Sequence, residues 1–111
     1  MNKNLEILCE IATESHTRIQ HDFADINPMV GVNQKMRKIG VPSDAMTIDC
    51  LKSGKRILMI LHDQHPDIIR YQLTFKNTDP GESFEQIAFG ELTADELYNW
   101  IKSYFKSTTN E

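Results

Sequence analysis

The sequence predicts an α+β fold: a four-stranded antiparallel meander with an N-terminal helix, a short second helix and a C-terminal helix packed on one face. Three observations carry that expectation. Apolar residues recur at three- and four-residue steps near both ends of the chain, and they alternate with a period of two through its middle. The alternating runs are separated by short segments bearing Gly, Pro or Asp. A chain of 111 residues, 40% hydrophobic and 25% charged, can bury one core without a disulfide or structural metal. Residues 1–107 are therefore expected to form a single α+β domain, with 108–111 as a frayed tail.

From Asn4 to about Asp25, the residues Leu5, Leu8, Ala12, Ile19, Phe23 and Ile26 make one helical stripe, widened by Ile11. Asn4 can cap its start. Asn27-Pro28 ends it, because the residue before proline avoids the α region. Between Met29 and Gly40 the residues Met29, Val32, Met36 and Ile39 keep helical spacing, which predicts a short second helix over about 33–39. Gly40 suits the position just after that helix, and Pro42 follows.

After Pro42 the period becomes two. Met46, Ile48 and Cys50 alternate with Thr47 and Asp49, the segment Lys52-Ser53-Gly54-Lys55 supplies a turn, and an apolar run continues to Leu61. A two-residue Ser53-Gly54 loop would pair Cys50 with Ile57, Ile48 with Met59 and Met46 with Leu61, all on one face. The next strand, 68–76, sends Ile69, Tyr71, Leu73 and Phe75 inward. For these to share a face with Met59 and Leu61, the intervening loop must be odd. Three residues would set Asp63 opposite Asp67, an unfavourable pair of like charges, so a five-residue loop from Asp63 to Asp67 is expected. Asn77 to Gly81 is a strong turn signal, and a fourth strand is expected at about 84–89. Thr93-Ala94-Asp95-Glu96 is a capping box. It opens a helix whose stripe is Leu97, Trp100, Ile101, Tyr104 and Phe105.

Few chemical classes find support in the residues. Cys9 and Cys50 have no zinc-binding or thioredoxin spacing, and no nucleophile elbow or phosphate loop is present. His16 and His21, five apart, point about 140° from one another around a helix, while His21 and Asp25 have the spacing of a surface pair. The segment Leu61-His62-Asp63-Gln64-His65-Pro66-Asp67-Ile68 concentrates two histidines and two carboxylates. A hairpin tip, however, offers zinc at most three ligands and little to hold them. A metal-assisted enzyme at 62–67 is therefore the weakest of three functional readings, and no metal or other cofactor is expected.

A second reading comes from charge. The net charge is −4, yet residues 28–57 carry Lys35, Arg37, Lys38, Lys52, Lys55 and Arg56 against only Asp44 and Asp49, leaving −8 for the rest. Such a patch could bind an anionic ligand or nucleic acid, although the acidic whole and the scarcity of aromatics in the patch argue against nucleic acid.

The preferred reading is a small non-enzymatic protein-binding module, an adaptor, chaperone-like factor, inhibitor or regulator that works as a homodimer. With Ile57, Met59 and Leu61 inward, Leu58 and Ile60 project from the opposite face beside Leu51. Arg56, Arg70 and Gln72 rim that patch. Something should cover it, either the short second helix or another protein, most simply a second copy. The N-terminus has no signal-peptide core and the longest apolar run is 57–61, so a cytoplasmic location and no membrane association are expected.

Overall fold

The computed structural model describes residues 3–78 and 83–106. Helix α1 (Lys3–Asp22) leads into strand β1 (Pro28–Asn33), the single-turn helix α2 (Lys35–Lys38), and strands β2 (Ser43–Cys50), β3 (Lys55–His62), β4 (Ile68–Phe75) and β5 (Glu85–Ala88). A 3-10 turn (Phe89–Glu91) then precedes helix α3 (Ala94–Phe105). The frayed tail expected at 108–111 and part of the turn expected at 77–81 lie outside the described residues.

The α+β architecture agrees with the sequence, with one addition: the sheet has five strands in the order β1-β2-β3-β4-β5, every neighbour antiparallel. The extra strand is β1, which the helical spacing of Met29, Val32 and Met36 concealed. Val30 pairs with Ile48 and Val32 with Met46, so a period of two also runs through these residues. Pairing along β2 decides between the two patterns, because it engages the backbone of six residues that could form fewer than two helical turns. Only α2 remains of the expected second helix. The Asn33 side chain accepts the Lys35 N–H at 2.8 Å, and Gly40 follows with φ of 94°.

In the β2–β3 hairpin the faces are as expected but the register differs by two. Ile48 pairs with Ile57, Met46 with Met59 and Asp44 with Leu61. The connection is four residues long, 51–54, closed by the Gly54 N–H donating to the Cys50 carbonyl at 2.8 Å, with Gly54 at φ 77°. Two- and four-residue loops leave the same side chains on each face, so hydrophobic alternation alone does not separate them. The β3–β4 hairpin matches the expectation in full. Its loop is Asp63 to Asp67, and Met59 pairs with Tyr71.

Helices α1 and α3 lie side by side on the inner face. Their apolar stripes (Leu5, Leu8, Ala12 and Ile19; Leu97, Ile101 and Phe105) close over Met46, Ile48, Ile57, Met59 and Ile69 to form the core. The buried Ser15 hydroxyl lies 2.9 Å from both the Ile11 and the Ala94 carbonyls, joining α1 to the start of α3. At the other end of that contact, the Tyr98 hydroxyl donates to Asp22 at 2.6 Å. The Thr93 side chain accepts the Glu96 N–H at 3.1 Å, as a capping box requires, but the Glu96 carboxylate accepts from Trp100 Nε1 at 3.0 Å instead of turning back to the cap.

Candidate functional site

Strict alternation in β3 buries Lys55, Ile57, Met59 and Leu61 and leaves Arg56, Leu58, Ile60 and His62 half-buried on the outer face. No described helix covers that face. Helix α2, one of the two covers considered for it, makes its contacts elsewhere: Arg37 reaches Asp44, which shares the inner face with Met46, and also Asp63.

Across the ladder, Leu58 faces Thr47 and Gln72, and Ile60 faces Ala45 and Arg70. Beside Ile60 the surface dips into a hollow of about 140 Å³ lined by Ser43, Ile60, His62, His65, Ile68, Arg70 and Phe84. Ile60, Ile68 and Phe84 make it apolar. Arg70 is exposed at its rim and has no carboxylate partner among the described residues. At the other end of the face Arg56 holds Asp49 through two bonds of 2.7 and 2.9 Å, which raise the guanidinium above its ordinary pKa. Gln72 donates to the Ser83 carbonyl at 2.8 Å. Leu51 is 58% exposed, but it lies in the β2–β3 turn beyond the strand ends, away from the hollow. The six residues named from sequence thus divide: Ile60 and Arg70 meet at the hollow, Leu58, Arg56 and Gln72 continue the face, and Leu51 stands apart.

The basic residues do not gather into one surface. Lys35 and Lys38 are exposed on α2, whereas Lys52 sits in the turn at the far end of β2, roughly 24 Å along an eight-residue strand. Arg37 is engaged by Asp44 and Asp63. Lys55 is buried under the end of α3, its Nζ donating to the Tyr104 carbonyl at 2.9 Å and lying 5.1 Å from the centre of that ring.

In the 62–67 loop the His62 and His65 rings lie 5.6 Å apart. Asp63 is turned to Arg37, with two bonds of 2.9 Å, which hold its carboxyl below the ordinary range. His62 Nδ1 accepts the Gln64 N–H at 3.1 Å. Among the described residues no three His, Cys, Asp or Glu side chains converge as metal ligands. The remaining histidines serve local structure: His16 Nε2 is 2.8 Å from the Pro28 carbonyl, and His21 meets Asp22 rather than Asp25. Burial, followed by the nearby Glu6, pushes the Cys9 thiol up, away from nucleophilic reactivity.

A second apolar surface escaped the sequence reading. Leu73 and Phe75, expected in the core, are exposed, and beside them a groove of about 520 Å³ opens between β4 and α3, lined by Tyr71, Leu73, Glu96, Asn99, Trp100, Ser103 and Tyr104. Tyr71 stacks on Trp100 at 4.4 Å. The alternation of β4 continues past the width that two helices can cover. No single-sequence signal marks where the cover ends.

No family model matches the chain, and neither a curated protein nor a solved structure matches it. Among the described residues no helix is long and apolar enough to cross a membrane.

Proposed function

We propose that the protein is a non-enzymatic protein-binding module, working as a homodimer and presenting the outer face of its sheet to a segment of another chain. The observation that carries the reading is the apolar hollow of Ile60, Ile68 and Phe84, with Arg70 at its rim and no carboxylate partner for it among the described residues. An exposed apolar concavity of this size suits one large side chain, and an exposed guanidinium beside it suits a carboxylate two or three residues away on the same segment. The half-buried Leu58 and the Arg56–Asp49 pair extend the contact along β3.

Selection from a display library of unstructured peptides tests this. Bound sequences should pair a bulky apolar residue with an acid, and both Ile60→Asp and Arg70→Glu should lose them while retaining the wild-type circular dichroism. Failure to enrich any peptide, or binding indifferent to both substitutions, would remove the reading.

A further inference from the structure

Exposed apolar residues are not spread evenly over the molecule. Of the eight large apolar side chains exposed among the described residues, five (Met29, Val30, Val32, Ile39 and Val41) fall in β1 and the segment just after it. Strand β1 is also an edge of the sheet, so its alternate residues direct N–H and C=O groups away from β2. Edge strands are usually blunted by charge. The opposite edge, β5, carries Glu85, but β1 reads Pro-Met-Val-Gly-Val-Asn with no charged residue. Pro28 has no N–H and its carbonyl meets His16, so the open part of this edge runs from Met29 to Asn33, an uncharged stretch that can template another strand.

We infer that β1 pairs antiparallel with β1 of a second copy, across a two-fold axis through Gly31, to make one continuous ten-stranded sheet. This deepens the dimeric part of the reading above and does not depend on what the outer face binds.

Two features of the chain select a second copy as the occupant. The first is self-complementary pattern. An axis at Gly31 sets Val30 of each chain opposite Val32 of the other, so four valines that are 40% and 41% exposed in the single chain form one apolar row on the helix-bearing face. Glycine at the axis brings no side chain into the closest approach. The second is charge. Antiparallel pairing lays the segment before β1 against the segment after β1 of the other copy. Asp25 precedes the strand and Lys35 and Lys38 follow it, all three exposed and without an opposite-charge partner among the described residues. The two-fold thus matches acid to base twice, and the local charge asymmetry of 28–57 becomes a self-recognition device instead of a patch for an external anion.

Sedimentation or light scattering of the full chain across the micromolar range tests this directly. The wild type should have twice the chain mass of 12.8 kDa. The double variant Val30→Lys/Val32→Lys sets like charges opposite each other and should be monomeric, whereas Val30→Lys/Val32→Glu sets opposite charges at the same positions and should recover the dimer. Circular dichroism of each confirms folding, which both positions should tolerate because they are exposed in the single chain. A wild-type monomer, an assembly larger than a dimer, or a dimer untouched by Val30→Lys/Val32→Lys would each overturn the inference. Peptide binding by a monomer would remove this inference and leave the outer-face reading standing.

Discussion

Arg37 lies between two carboxylates, bonded to the buried Asp44 at 3.0 and 2.9 Å and to the exposed Asp63 at 2.9 Å twice, and so ties α2, β2 and the β3–β4 turn together. The arrangement raises the guanidinium above, and lowers the Asp63 carboxyl below, their ordinary pKa values. A carboxylate depressed by folding contributes stability that is complete above its unfolded pKa of about 3.9 and is lost as pH falls through the folded value. Asp63→Asn should therefore lower the urea midpoint at neutral pH. The gap to wild type should close progressively below about pH 4. A gap constant down to pH 2 would mean that the charge of Asp63 is not the cause.

The two faces of β3 should respond differently to truncation. Ile57 is fully buried between α1, α3 and the sheet, and Ile57→Ala should cost about 2–5 kcal/mol in denaturant unfolding. Leu58, its neighbour on the outer face, is half-buried, and Leu58→Ala should cost less than half as much. Equal losses would mean that the outer face is as well packed as the core and that no surface is left for a partner.

Lys55 offers a test of how a buried ammonium is tolerated. Its Nζ meets the Tyr104 carbonyl near the end of α3, and its stem packs beneath the helix. Lys55→Met keeps the volume while removing both the bond and the desolvated charge, and should stay within about 1 kcal/mol of wild type. Lys55→Ala also removes the stem and should cost about 2 kcal/mol.

The cap of α3 should have an ordinary value. Thr93→Ala leaves the Glu96 N–H without its acceptor and should cost about 1 kcal/mol. Thr93→Asp should recover most of that loss in the same unfolding measurement.

What the sequence revealed followed from how many independent constraints met at each place. The Asp63–Asp67 loop was legible because parity excluded even lengths and the clash of Asp63 with Asp67 excluded three. In the β2–β3 hairpin only parity acted, and the register remained free to move by two. For β1, helix and strand periods were both satisfied by the same residues, and pairing with β2, a contact between segments, chose the strand. The hollow was partly visible: alternation places Ile60, Ile68 and Arg70 on one face, but Phe84 reaches it from the residue before β5, a contact between segments. The fate of Lys55 had no local sign, since its partner carbonyl lies 49 residues away.

The side-by-side packing of α1 and α3 sets the order in which a newly made chain can become safe. Until α3 has left the ribosome, Met46, Ile48, Ile57 and Met59 have only α1 to shelter them, and the uncharged β1 edge is already available for pairing. Crowded translation should therefore favour contact between nascent copies over premature closure of one chain. Slowing synthesis while α3 is still inside the ribosome should increase aggregation more than the same delay imposed once α3 has emerged.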